Sequence, residues 1–189
     1  TTGRGSTAGL YVNKRHLPAH PAMAGWWGYN KERQFDMKLD FEAAPDAGAF
    51  HIGTPHLLST APLEGSLKLY HAAGITALRR KSIQLTEYLM YLMDTLVPEQ
   101  QSGYSIGTPR DSQRRGGHVA VEHEEALRIN EALKKRGVIP DFRFPNVIRL
   151  APVPLYTSFI EVWHTVQHLK EIVEQKEYLN FSKKRGAVA

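Results

Sequence analysis

Arg149 is the first residue whose type and context indicate chemistry. It lies in the run VIRLA, residues 147–151, where its neighbours are all apolar. A guanidinium that points inward from such a run needs an anion, because an unpaired buried charge is costly. Since a guanidinium matches a carboxylate with two parallel hydrogen bonds, the sequence predicts a ligand carboxylate or a structural ion pair with Asp141 or Glu161.

Two adjacent tryptophans, Trp26 and Trp27, lie between Gly25 and Gly28. An indole offers one N–H donor and a large flat face, which suit a planar ligand, a phosphate oxygen or a partner subunit. The alternative is an aromatic plug in a core, because tryptophan is mostly buried in folded proteins.

Two glycine-containing loops are candidates for anion binding. The segment Gly53-Thr54-Pro55 places a hydroxyl and backbone N–H groups before a predicted helix, where a phosphate can bind, although a simple turn is the alternative. Residues 108–117 contain Arg110, Arg114 and Arg115, and there the sequence favours a solvated polar loop over an anion site.

The nine histidines include two pairs with helical i,i+4 spacing, His16 with His20 and His164 with His168. Neither pair has a third ligand close in sequence, and the chain has no cysteine, so the sequence predicts no metal site. We expect His164 and His168 on the polar side of the last helix.

Composition limits the class of protein. Hydrophobic residues make up 42% of the 189 residues and charged residues 23%, as in ordinary globular domains. The net charge is only +5, with basic residues interleaved among acids, which argues against a nucleic-acid partner. No apolar run approaches the ~20 residues of a membrane span, so we expect a soluble, cytoplasmic protein without a membrane partner.

The first half of the chain changes character at Pro62. Residues 1–60 are rich in glycine and proline, which predicts a loop-rich segment with a short strand over residues 10–14. Apolar residues then keep helical spacing over 61–98, which predicts one long linking helix, or two with a bend near Gly74. A loop-rich stretch of this length is typical of a functional segment or of one that packs on something else.

The rest of the chain alternates between strand and helix patterns. Strands are predicted over 104–109, 118–122, 138–143 and 147–151. One helix is predicted over 124–136, with Gly137 as its stop. A final helix is predicted to begin after a capping box formed by Ser158 and Glu161. The order ββαββα predicts a small α+β domain over 99–182, followed by a basic, frayed tail over 183–189.

Taken together, these segments resemble the C-terminal half of the kynureninase family. The matching stretches occur in family order across essentially the whole chain, and as a set they are highly specific. They are GSTAGLYV (5–12), GWWG (25–28), RQFDM (33–37), GAFHIGTP (48–55), LRRKS (78–82), RGGH (115–118), PDFR (140–143) and NVIRLAPVPLY (146–156).

The resemblance implies a pyridoxal-phosphate enzyme with the fold of the aspartate aminotransferase group (fold type I). Family members cleave L-kynurenine with water to anthranilate and L-alanine in tryptophan catabolism, and they act as homodimers with active sites at the subunit interface. By resemblance, Arg149 binds the substrate α-carboxylate and Gly53 lies near the substrate ring. Trp26 and Thr54 bind the cofactor phosphate across the dimer, so the loop-rich first third belongs to the tail of the cofactor domain and its dimer interface.

The sequence also departs from the family pattern. The cofactor lysine of the family belongs just before Thr1, and residues 1–5 differ from the family run, with Arg4 in place of a proline. Tyr29 stands where many relatives have histidine. None of the lysines near the matching motifs has the required context, so we expect no catalytic residue in this chain and no reaction by the 189 residues alone.

Two interpretations follow from the resemblance. The chain is either part of a kynureninase that is completed by an N-terminal half or partner chain, or a non-catalytic remnant that binds a partner. A different relative of the same fold type, such as a cysteine desulfurase, is disfavoured because the contexts of Trp26 and Arg149 match kynureninase better.

Overall fold

The computed structural model describes residues 7–184 of the chain. The chain divides into two compact units, Thr1–Ala72 and Ala73–Ala189. This division falls inside the helical stretch predicted for 61–98. The predictions made for residues 1–5 and for the end of the basic tail lie outside the described residues.

The first unit consists mainly of irregular backbone and one helix. Short 3₁₀ turns form at Lys14–His16, Trp26–Gly28 and Ala47–Phe50, and a single antiparallel bridge joins Tyr29 to Ala43. The strand predicted over residues 10–14 is wrong. An extended segment becomes a strand only by pairing, and within the described part of the unit nothing pairs with it.

Helix α1, Leu57–Ala73, begins five residues before the predicted start at Pro62. The hydroxyl groups of Ser59 and Thr60 donate hydrogen bonds to the carbonyl of His56 at 3.2 and 2.7 Å and stabilise the first turn. Pro62 is the sixth residue of α1, so the helix lacks the hydrogen bond that an N–H at this position would donate to the Leu58 carbonyl. No residue of α1 is buried.

The second unit begins with helix α2, Ile75–Leu96, which follows a break in the helical path at Gly74. Gly74 has a φ of +75°, a left-handed conformation that few residues other than glycine adopt. The predicted helical stretch is therefore two helices. The buried positions of α2 lie at helical spacing on one face, and they include Leu78, Leu85, Leu89 and Leu92.

A four-stranded antiparallel sheet follows the short helix α3, Glu99–Ser102. The strands are β1 (Ser105–Ile106), β2 (Val119–Glu122), β3 (Asp141–Arg143) and β4 (Val147–Leu150), in the spatial order β1-β2-β4-β3. All four lie within predicted strands but are shorter, because pairing ends before the β-type sequence pattern does. The predicted α+β architecture is confirmed.

Two further α-helices, α4 (Ala126–Lys135) and α5 (Phe159–Glu174), lie in the described part of the second unit. The predicted capping box is present at the start of α5, where Ser158 and Glu161 satisfy each other's backbone N–H groups. Gly137 ends the α4 segment with a φ of +83°.

The sheet has one face in the hydrophobic core and one face outside it. Along β2 and β4, Val119, Val121, Ile148 and Leu150 are buried, whereas the residues between them are only partly buried. The buried set joins the apolar faces of α2, α4 and α5 in a single core cluster. Arg149 therefore belongs to the sheet face opposite the core.

Candidate active site

Arg149 lies in the middle of β4, where it pairs in register with Ala120 of β2 and Asp141 of β3. Its apolar neighbours Ile148 and Leu150 enter the core, so its own side chain emerges on the other face. The Arg149 side chain is 35% exposed. The residues beside Arg149 in sequence are therefore apolar because they are themselves buried, whereas the Arg149 side chain is not.

The Arg149 guanidinium forms an ion pair with the carboxylate of Asp141. Of the two structural partners that the sequence allowed, the structure selects Asp141, since the Glu161 carboxylate accepts hydrogen bonds from the backbone and hydroxyl of Ser158, both at 2.7 Å. Those two bonds lower the pKa of Glu161. The role of Arg149 toward a ligand carboxylate stays a prediction.

Trp26 lies in the 3₁₀ turn Trp26–Gly28 of the first unit and is 48% exposed. It is not a core plug within this chain. The Gln34 amide, which is buried, donates a hydrogen bond to the Trp26 carbonyl at 2.9 Å. The ring of Phe35 packs edge-on against the indole, with 5.6 Å between ring centroids. These contacts hold the backbone and one edge of the ring, and the residue stays about half exposed.

Gly53 and Thr54 are exposed and lie three to four residues before the start of α1. Their segment meets the tryptophan turn through backbone contact. A Cβ on Gly25 would collide with the backbone of Ile52, and one on Gly28 would come within 2.9 Å of the His51 carbonyl. The structure thus brings the Trp26 turn and the Gly53-Thr54 segment together within the first unit, while Arg149 belongs to the second.

A cavity of about 480 Å³ adjoins the tryptophan turn. Its lining includes the aromatic rings of Trp26, Tyr29 and Phe41 and the side chains of Met37 and Lys38. Flat aromatic walls with a nearby cation are suited to a planar anionic ligand. The sequence singled out Trp26, and it placed Met37 only within the matching stretch 33–37, without a role. Phe41 lies outside every matching stretch, so no sequence signal pointed to it.

The arginine-rich loop 108–117 is mostly exposed, and Arg115 is its one buried residue. Arg110 forms a two-pronged ion pair with Asp94 at 2.7 and 2.8 Å. The Arg115 side chain is 1% exposed and donates to Thr86 at 3.4 Å and to Glu87 at 3.2 Å. The expectation of a solvated loop is therefore wrong for Arg115, which holds the loop against α2.

The histidine pairs do not gather ligands in the described chain. Among residues 7–184, no three or more His, Cys, Asp or Glu side chains lie close enough to hold a metal ion. His164 and His168 line a second cavity, of about 570 Å³, between α5 and the segments 137–140 and 151–157. His168 Nδ1 also lies 3.2 Å from the guanidinium of Arg136.

Two solved structures share the architecture of most of this chain. The apo cysteine desulfurase from Thermococcus onnurineus NA1 has a TM-score of 0.64 at 16% identity, covering 82% of this chain and 40% of that one. A C-DES mutant with glycine covalently linked to its PLP cofactor has a TM-score of 0.60 at 18% identity, covering 80% of this chain and 38% of that one. The chain therefore has the fold of the C-terminal portion of PLP-dependent fold type I enzymes.

Sequence comparison identifies the family within that fold. The family model for the kynureninase C-terminal domain matches residues 78–169. The kynureninases of Geobacillus thermodenitrificans and Bacillus thuringiensis subsp. konkukian are 54% and 51% identical to this chain over 187 residues. The chain is similar to the kynureninases over nearly its whole length, and the resemblance to that family rather than to cysteine desulfurases is confirmed. The match covers 99% of this chain but only 43% of the length of these relatives.

Within residues 7–184, no helix is long and apolar enough to cross a bilayer.

Proposed function

We propose that this chain supplies the carboxylate-binding arginine and part of the phosphate-binding site of a kynureninase. The reaction is the hydrolysis of L-kynurenine, or 3-hydroxykynurenine, to anthranilate, or 3-hydroxyanthranilate, and L-alanine. The observation that carries the proposal is Arg149, which lies on the sheet face outside the core of a kynureninase C-terminal domain. Identity of 54% to a kynureninase over 187 residues supports the same assignment.

In this proposal, Arg149 binds the α-carboxylate of the amino-acid substrate. Its guanidinium is partly exposed, and its position in the middle of a paired strand fixes its backbone. A guanidinium that holds a carboxylate with two hydrogen bonds restricts rotation of the attached Cα. The bond to be broken at Cα is thereby held in one orientation.

The donors of the first unit suit the phosphate of pyridoxal phosphate. The indole N–H of Trp26 and the hydroxyl of Thr54 are neutral donors, and both residues are exposed and lie in adjoining segments. A Cβ added to Gly53 would meet no atom within 4 Å, so the space beside this residue is open. When bound, pyridoxal phosphate supplies the electron sink that stabilises negative charge at the substrate Cα. Trp26 and Thr54 would hold the phosphate by hydrogen bonds, and Gly53 would leave room for the substrate ring.

The rest of the active site comes, in this proposal, from residues that relatives have beyond the span of this chain. Those residues include the lysine that binds the cofactor. They belong to the same polypeptide or to a separate N-terminal-half chain, and the assembly is a homodimer or that two-chain complex. On this proposal residues 1–189 alone release no anthranilate from L-kynurenine, and a cytoplasmic location stays a prediction.

The test is steady-state kinetics of the Arg149→Ala variant in the intact protein that contains this sequence. We expect the KM for L-kynurenine to rise on the order of 10- to 100-fold, because a charge-assisted interaction with the substrate is lost. Anthranilate release, followed by fluorescence, gives the rate, and cofactor absorbance gives the loading, which should stay near the parent value.

The matched control is Arg114→Ala, which removes an exposed arginine from the same unit. Equal losses of cofactor loading and substrate use in the Arg149 variant would contradict the assignment. Absence of anthranilate release by the intact parent protein with pyridoxal phosphate would instead favour the non-catalytic remnant.

A further inference from the structure

The Arg149 guanidinium already has a carboxylate partner in the structure. Asp141 lies directly opposite Arg149 in the register of β3 and β4, and its Oδ2 atom accepts from Arg149 Nη2. The same Oδ2 atom also accepts from Arg143, at 3.1 Å from Nε and 3.0 Å from Nη2. One carboxylate oxygen is therefore shared by two guanidinium groups.

The pairing leaves Arg149 half satisfied on the edge that binds carboxylates. That edge consists of Nε and Nη2, whose N–H bonds point in the same direction. Asp141 engages Nη2, whereas Nε is buried and has no hydrogen-bond acceptor among residues 7–184. A carboxylate with two oxygens placed along this edge would satisfy both donors, which Asp141 does not do.

The ion pair is also weak enough to be exchanged. The side chains of Arg149, Asp141 and Arg143 are 35%, 48% and 60% exposed. Ion pairs with this much solvent contact add little net stability. If Asp141 leaves Arg149, it keeps Arg143 as a partner, so the exchange leaves no charged group without a partner.

We propose that Asp141 is a stand-in carboxylate for the substrate. It holds the Arg149 guanidinium in place when the site is empty, and the α-carboxylate of the amino acid displaces it onto Arg143. Asp141 is thus a positioning residue, and this inference rests on the proposed function because it requires Arg149 to bind the α-carboxylate. No bond is made or broken in the exchange, which only replaces one ion pair by another.

The inference predicts opposite effects for the two neighbours of Arg149. Asp141→Asn removes the competing carboxylate and should tighten binding of an α-carboxylate about two- to fivefold, the range expected for an exposed pair. Arg143→Gln removes the alternative partner of Asp141, so Asp141 stays on Arg149 and the same ligand should bind roughly two- to fivefold more weakly.

The experiment measures dissociation constants on the intact, cofactor-loaded protein by the change in cofactor absorbance. The probes are L-alanine, which carries the α-carboxylate, and ethylamine, which is the same amine without it. Both effects should be present for L-alanine and absent for ethylamine. Glu122→Gln is the matched control. Glu122 lies on β2, and its partner in the sheet register is Val147 of β4, not Arg149.

The control separates direct competition from a general change in charge. Removing the carboxylate of Glu122 alters the net charge as Asp141→Asn does, and through a screened field it should change L-alanine binding by less than about 1.5-fold. Equal effects of the two variants would overturn the proposal. Weaker binding of L-alanine by the Asp141 variant would also overturn it, because Asp141 would then orient Arg149 instead of competing with its ligand.

The proposed function can fail separately. If Arg149→Ala leaves the dissociation constant of L-alanine unchanged, the carboxylate assignment of Arg149 is wrong, whatever the Asp141 variants do. Should Asp141→Asn fail to fold, as judged by circular dichroism, the weaker binding expected for Arg143→Gln still decides the proposal. An Arg143 variant with unchanged or tighter L-alanine binding would overturn it.

Discussion

At the residue scale, Trp26 and Trp27 are neighbours in sequence with different surroundings. Trp26 is 48% exposed; its carbonyl accepts hydrogen bonds from the Gln34 amide and the Tyr29 N–H, and Phe35 packs against its ring. The ring of Trp27 is covered by the Lys31 ammonium, which lies 4.4 Å from its centroid and also donates to the Trp27 carbonyl at 2.6 Å. Trp26 is therefore the more exposed of the two tryptophans, and the Trp27 ring has a cation over it.

This difference predicts unequal effects of two conservative variants on cofactor binding. Trp26→Phe keeps an aromatic ring but removes the N–H donor, so we expect the affinity for pyridoxal phosphate to fall roughly tenfold, as for loss of one hydrogen bond to a charged group. Trp27→Phe should leave that affinity near the parent value. Equilibrium dialysis of the intact protein gives both constants, and equal losses in the two variants would contradict a specific donor role for Trp26.

Arg149 shows how far sequence reasoning reaches for a single residue. Its apolar neighbours identified it as a candidate and narrowed its structural partners to Asp141 and Glu161. The choice between them depends on the register of β3 against β4, which is set by pairing between strands and is not encoded at either position. Arg115 could not be predicted for a related reason, since its burial depends on carbonyl and hydroxyl acceptors that sequence spacing does not show.

At the scale of elements, the sequence predicts helices best where the apolar periodicity agrees with the residues that begin or end a helix. The helices α4 and α5 combine an apolar stripe with a glycine stop or a capping box, and both lie where the sequence placed them. The start of α1 was missed because its first turn is stabilised by hydroxyl groups bonded to the His56 carbonyl, and no apolar periodicity marks it.

One histidine links three of these elements. His123 lies between β2 and α4, its Nδ1 accepts from the Glu125 backbone N–H at 2.9 Å, and its Nε2 lies 3.2 Å from the carbonyl of Ser102 at the end of α3. Burial lowers the pKa of His123 below its ordinary value of 6.5, against smaller opposing effects of the Ser102 carbonyl and of Glu125 and Glu124. The fold thus favours the neutral ring, whose Nδ1 accepts.

The lowered pKa predicts a loss of stability in acid. The unfolded chain binds a proton at this histidine before the folded chain does, so its contribution is complete above about pH 6.5 and falls as the pH drops through the lower folded pKa. The destabilisation caused by His123→Gln should therefore be smaller at about pH 5.5 than at about pH 7.5. Urea unfolding of the intact protein measures it, with the exposed His118→Gln as control. A pH-independent difference for the His123 variant would refute the link.

At the scale of the whole molecule, the two units differ in how they bury apolar side chains. The second unit contains the hydrophobic core, built from α2, the sheet, α4 and α5. Among residues 7–72, the buried apolar residues are Ala44 and Ala49, which are too small to form a core. Many large apolar side chains in that range are instead more than half exposed. They include Leu10, Tyr11, Met23, Phe35, Met37, Leu39, Leu57, Leu58, Leu67 and Leu69.

So much exposed apolar surface is typical of a segment that is covered by another part of an assembly. The sequence predicted a loop-rich segment that is either functional or packs on something else, but no pattern within one chain shows which surface covers it. The proposed homodimer or N-terminal-half partner offers such a cover. Helix α1, with no buried residue and with Leu58 93% exposed, is the most regular part of the surface to be covered.

Replacing one apolar side chain of α1 by a charge therefore tests the assembly. If α1 is covered, Leu58→Lys places an ammonium in an apolar contact and should weaken association about 10- to 100-fold, the effect typical of a central interface residue. The matched control is Ile139→Lys in the second unit, which makes the same kind of change at a side chain that is 85% exposed. Sedimentation velocity over a range of concentrations gives the mass of the intact protein and its variants. If the Leu58 variant associates as the parent does while the Ile139 variant dissociates, the interface lies on the second unit and α1 is not part of it.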